Sequence, residues 1–100
     1  MPDTLTLGGK ITLTGFSGVD GGSMIVLKKV IGNYAKRFSE SAPEFQSLDL
    51  VLDGHDQKGI VVGARVVIGE KDHRSRAEEP NIFVAVDKAL KHIEKDLGVL

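Results

Sequence analysis

The chain has no cysteine and no tryptophan among its 100 residues, and only one tyrosine, four phenylalanines and three prolines. Without cysteine there is no disulfide, no thiolate metal site and no cysteine nucleophile, which fits a reducing cytoplasm. No apolar run approaches the length that spans a bilayer. The opening MPDTLTLGGKITLTG lacks the basic start and continuous apolar core of a secretory signal. Cytoplasmic residence, away from membranes, is therefore the expectation. An excess of one charge is missing too: 13 basic residues face 14 acidic ones, for a net charge of −1. That balance weighs against a dedicated nucleic-acid binder.

What is present suits one soluble domain. A hydrophobic fraction of 41% on 100 residues is enough to bury a core without covalent staples. No internal repeat, linker or low-complexity segment interrupts it.

Periodicity then assigns the elements. Lys10 to Phe16, KITLTGF, alternates Ile11 and Leu13 with threonines and reads as a half-buried strand. SGVDGG follows as a turn in which Asp20 or Ser23 can cap a helix. Met24, Leu27, Ile31, Tyr34, Ala35 and Phe38 form a stripe of helical period, and Gly32 within it suggests close packing. Pro43 lies in the loop that ends this helix. Leu48, Leu50 and Leu52 alternate with Asp49, Val51 and Asp53, a strand with one wet face. DGHDQKG, residues 53–59, has the composition of a hairpin loop. Ile60, Val62, Ala64, Val66 and Ile68 share one face of a longer strand, with Arg65 on the other. Past a turn at Gly69–Asp72, residues 73–77 read as a short strand whose Arg74 and Arg76 point the same way. Pro80 suits the first turn of a last helix. There Phe83, Val86, Leu90, Ile93 and Leu97 make one apolar face, while Lys88, Lys91 and Lys95 gather opposite. The order β-α-β-β-β-α predicts an α+β two-layer sandwich: a mainly antiparallel four-stranded sheet with both helices on one face.

No segment carries a catalytic signature. GFSGVDGG lies between a strand and a helix, where a phosphate loop belongs, but matches neither GxxxxGK[ST] nor GxGxxG and reads as a turn. DGHD around His55 is an incomplete metal set. His73 and His92 have no evident partner. No enzyme, metal or cofactor is expected.

Charge placement is the better lead. Between Ser23 and Ser39 stand Lys28, Lys29, Lys36 and Arg37 with no acidic residue. Both helices thus carry a basic polar face, and helices packed side by side would let those lysines line one groove or ridge. Phosphates are the natural counter-charge there. Arg65, Arg74 and Arg76 add a second basic area on the open sheet face. Aromatics for base stacking are lacking, because Phe16, Tyr34, Phe38 and Phe83 read as core, so such binding would read backbone and shape rather than sequence.

The element order and three stretches together resemble the ribosome hibernation-promoting factors. That family includes the ribosome-associated inhibitor called protein Y and the sigma-factor modulation proteins. The stretches are ITLTG before the first helix, the acidic pair Glu78-Glu79, and the final helix, with Ile82-Phe83-Val84-Ala85-Val86-Asp87 and His92-Ile93-Glu94-Lys95-Asp96-Leu97. The resemblance covers the chain by topology and about twenty residues by motif. It implies a translation inhibitor bound to rRNA of the small ribosomal subunit, with basic side chains on phosphates. Lys95 matches the family's basic residue in the last helix, and Lys28, Lys29, Lys36 and Arg37 occupy its first basic surface approximately. His92 stands where relatives usually have lysine. The RNA-binding set on this reading is Lys28, Lys29, Lys36, Arg37, Arg74, Arg76, Lys88, Lys91 and Lys95. The alternative is a small non-enzymatic protein-interaction module, with a homodimer through the open sheet face as one form of it.

Overall fold

A computed structural model describes residues 4–56 and 59–98, with backbone alone at 54–56. In chain order it contains β1 (Thr4–Leu7), β2 (Ile11–Thr14), α1 (Gly21–Ser41), β3 (Phe45–Asp56), β4 (Gly59–Ile68), β5 (Lys71–Glu79) and α2 (Ile82–Leu97). The expected α+β architecture is present, but with five strands rather than four. They lie in the order β1-β2-β3-β4-β5.

The added strand is β1, and it has a sequence cause. Thr-Leu-Thr-Leu alternates with period two and runs into Gly8 and Gly9, whose φ values of 63° and 82° turn the chain back into β2. Leu5 pairs with Leu13 and Leu7 with Ile11 in an antiparallel ladder. The sheet is mixed, because β2 and β3 run parallel, with Ile11 beside Leu48 and Leu13 beside Leu50. A parallel pair cannot close through a tight turn, and α1 is the crossover that joins them. β3, β4 and β5 form an antiparallel meander.

The alternation in each strand fixes which face is dry. Leu13, Leu48, Leu50, Val62, Ala64 and Val66 from the sheet meet Leu27, Ile31, Tyr34 and Phe38 of α1 and Val86, Ala89, Leu90 and Ile93 of α2 in one core. Both helices therefore cover the same face. α2 packs mainly on β4 and β5, leaving α1 to the β2–β3 side. The other face carries Thr12, Asp49, Arg65 and Arg74 in one cross-strand row and Thr14, Val51, Gly63 and Arg76 in the next.

Helix ends follow their caps. Asp20 accepts from the Ser23 amide at 3.0 Å and from its hydroxyl at 2.8 Å, so α1 begins at Gly21 rather than Met24. Asn81 caps α2, accepting from the Phe83 amide at 2.8 Å. Pro80 therefore precedes the cap instead of occupying the first turn. Gly32 does not serve close packing: a Cβ there would meet nothing within 4 Å. The turn expected at 69–72 shortens to Gly69–Glu70, since β5 already starts at Lys71. The hairpin loop expected at 53–59 is mostly strand, because β3 runs through Asp56 and β4 begins at Gly59, with Asp56 paired to Gly59. Gln57, Lys58 and the His55 side chain lie outside the described residues.

Candidate nucleic-acid interface

The two helices meet along a polar seam rather than a shared basic groove. The Tyr34 hydroxyl donates to the Asp87 carboxylate at 2.5 Å, and Arg37 Nε donates to Glu94 at 2.7 Å. The Arg37 guanidinium also lies over the Tyr34 ring, 4.3 Å from its centroid. Glu94 is the one buried charged residue among those described, with 2% exposure. Asp87 and Glu94 are seven apart on α2, Tyr34 and Arg37 three apart on α1, so each pair stands on one side of its helix. Arg37 is thus committed to the fold rather than to the free basic surface its charge suggests, and Glu94 is a partner that charge patterning passes over. The visible signal is that Asp87 and Glu94 flank the apolar stripe rather than lying opposite it.

Burial and the Asp87 hydrogen bond, in that order, push the Tyr34 phenol far above the ordinary tyrosine range. A phenol held protonated by the fold stabilises below its unfolded pKa, near 10, and that stabilisation is lost as pH rises beyond it. Wild-type protein should therefore lose stability above about pH 10. Tyr34→Phe should flatten that alkaline decline in urea melts at pH 8 to 11, at a neutral-pH cost of about 1 kcal/mol.

Arg37→Met keeps the aliphatic stem but strands the Glu94 carboxylate. Breaking a fully buried pair costs about 3–5 kcal/mol; because Arg37 is half exposed, about 2 kcal/mol is expected here. Urea denaturation checks it, and the Arg37→Met/Glu94→Leu double variant should recover part of the loss.

The remaining cations fall into distinct groups. Lys88 Nζ binds Glu79 at 3.0 Å, and Lys91 lies 3.5 Å from Asp87 in the expected i,i+4 pair. Arg65 bridges Asp49 at 3.7 Å and Asp72 at 2.9 Å, and Arg74 joins the same Asp72 carboxylate at 3.1 Å. Hydrogen bonds from Arg65 and then Arg74 hold the Asp72 carboxyl below the usual carboxylate range. That shared carboxylate is why Arg65 and Arg74, directly opposite in the ladder, tolerate one another. Arg76, one step along the same face beside Gly63, has no ion pair among the described residues.

Lys95 is also free of an ion pair among the described residues, and with Arg74, Ser75, His92 and Asp96 it lines a hollow of about 350 Å³ between β5 and α2. His92 thus lines this hollow beside Lys95, three residues along α2, while the Arg74 guanidinium is held by Asp72 on the open sheet face.

α1 carries the cleanest basic surface. Lys28, Lys29 and Lys36 are exposed and have no ion pair among the described residues. Tyr34 and Arg37 face α2, and at ~100° per residue the three lysines lie roughly 110–150° around the helix from that direction. They look away from α2, so the α1 and α2 lysines do not line one groove.

The separation extends to the whole chain. Residues 1–41, through the end of α1, hold five basic and three acidic residues, while residues 42–100 hold eight basic and eleven acidic. A near-zero net charge therefore conceals a positive β1–β2–α1 end and a negative remainder.

The glycine loop offers no comparable site. Gly15, Gly18, Val19, Asp20, Ser23, Leu52, Ile60 and Ile82 line a hollow of about 370 Å³ with no cationic side chain. The Asp20 carboxylate already occupies the Ser23 amide that an anion at the start of α1 would use. Among the described residues, no three His, Cys, Asp or Glu side chains gather as metal ligands. No described helix is long and apolar enough to cross a membrane. No protein-family model matches the sequence, and no curated protein matches it.

Proposed function

We propose that this is a non-enzymatic RNA-binding protein of the hibernation-factor kind, which holds small-subunit rRNA through phosphate contacts and so inhibits translation. One observation carries the reading: Lys28, Lys29 and Lys36 form an exposed cationic face on α1 without ion pairs among the described residues. Such a face suits the regularly spaced charges of a nucleic-acid backbone. Seven residues of helix set Lys29 and Lys36 about 10 Å apart, a separation that spans more than one phosphate of a strand. Arg76 and Lys95 supply secondary contacts from the far side, whereas Arg37, Lys88 and Lys91 serve acidic neighbours within the fold. Apart from Arg76, the open sheet face, with Arg65 and Arg74 tied to Asp49 and Asp72, contributes little net attraction.

Co-sedimentation with purified small subunits at about 50 and about 200 mM salt tests this. Binding at low salt that is largely released at high salt is expected. Absence from the subunit fraction at both concentrations would sink the proposal.

A second reading, a protein-interaction module, is favoured by a separate observation: β1 leaves an uncharged strand edge open among the described residues.

A further inference from the structure

The sheet has two edges of opposite character. The β5 edge, KDHRSRAEE, is charged along its length and is braced by α2, whose Ala89 carbonyl accepts from the Ser75 hydroxyl. Charge on an edge strand discourages another strand from adding to it. The β1 edge, Thr4-Leu5-Thr6-Leu7, carries no charge and no proline. Alternate residues of β1 turn their backbone N–H and C=O groups away from β2, where no further strand among the described residues receives them. Leu5, on the helix-bearing face opposite Leu13, is still 39% exposed.

We infer that β1 pairs with β1 of a second copy of this chain, antiparallel about a twofold axis through Thr6, to make one continuous ten-stranded sheet. The register follows from the alternation. Thr6 opposite Thr6 of the twin sets Leu5 against the twin's Leu7 and Leu7 against the twin's Leu5, all on the helix face. Both leucines gain an apolar neighbour, and no like charges meet across the seam. A symmetric contact of this kind closes at two subunits. With α1 over β2 and β3, the two α1 axes stand about four strand spacings apart, roughly 19 Å. The lysines look away from α2 and so toward the seam, and their mutual repulsion, screened over ~8 Å at physiological salt, weakens the dimer further at low salt. A four-residue seam covers far less than the ~1,600 Å² of a standard interface, so the dimer is weak and concentration-dependent.

Pairing through β1 is independent of RNA binding, and it moves self-association from the open sheet face to the sheet edge.

The absence of native cysteine supplies a clean test. Opposed strand residues have Cα atoms about 4.5–5.5 Å apart, within disulfide reach. Under mild oxidation at high protein concentration, Thr6→Cys should form a covalent dimer much faster than Lys95→Cys, a surface control on α2. Analytical ultracentrifugation of the wild type should show dimer growing from about 10 µM to about 1 mM, and Leu5→Lys should shift that equilibrium at least tenfold toward monomer. A wild type monomeric throughout, or a dimer indifferent to Leu5→Lys with equal cross-linking of both cysteine variants, overturns the inference.

Discussion

Gly15→Ala is expected to lower the unfolding free energy by about 3–4 kcal/mol, a large share of the ~5–15 kcal/mol typical of a domain. Two independent penalties combine. Gly15 sits at φ +86°, a conformation that costs an L-residue about 1–2 kcal/mol. A Cβ built there would also stand 2.5 Å from the Leu52 carbonyl oxygen, which is backbone of β3 and cannot rotate aside. Moving it means shifting the strand, an overpacking cost of about 1–3 kcal/mol. Gly32→Ala is the counter-experiment. Gly32 is helical, has open space around its missing Cβ and should gain about 1 kcal/mol. Urea melts of both variants should move the midpoint in opposite directions. A Gly15→Ala protein within about 1 kcal/mol of wild type would refute this account of the β2–α1 turn.

Gly15 also shows how far periodicity reaches. Its neighbours in GFSGVDGG read as a turn, and the turn is there, but nothing local distinguishes the one glycine that passes against β3. That contact joins residues 15 and 52 and exists only once β2 lies parallel to β3. The parallel pairing is itself illegible for the same reason: an alternating strand shows which residues share a face, not which neighbour it chooses. Faces are legible. Leu48, Leu50, Val62, Ala64 and Val66 are buried as their alternation requires, and Leu90 and Ile93 as their 3–4 spacing requires. β1 is within reach of the same logic, but four residues beside two glycines give a weak signal. For the basic residues, sequence shows charge and exposure but not pairing. Arg37 of α1 finds Glu94 across the helix seam, and Lys88 finds Glu79 nine residues away; with Lys91 on Asp87, much of the apparent basic face of α2 is already neutralised.

That pairing makes charge reversal discriminating. Lys28→Glu/Lys29→Glu/Lys36→Glu should weaken small-subunit binding by at least about 100-fold at low salt, because three phosphate contacts vanish and three carboxylates replace them. If those lysines neutralise three phosphates, wild-type affinity falls with a log–log salt slope of about −2 to −3, or roughly 20–40-fold from 50 to 200 mM. The triple variant should lose most of that slope with the affinity. Lys88→Glu/Lys91→Glu is the matched control: it changes two charges on an exposed helix face, but both ammoniums are engaged by Glu79 and Asp87. It should cost less than about tenfold, with the slope little altered. An α2 double variant as damaging as the α1 triple would relocate the interface to α2. Equal retention of binding by both variants would leave no role for either helix. Because all five lysines are exposed and outside the core, thermal melts should show each variant folded, so a loss of binding reports the interface itself.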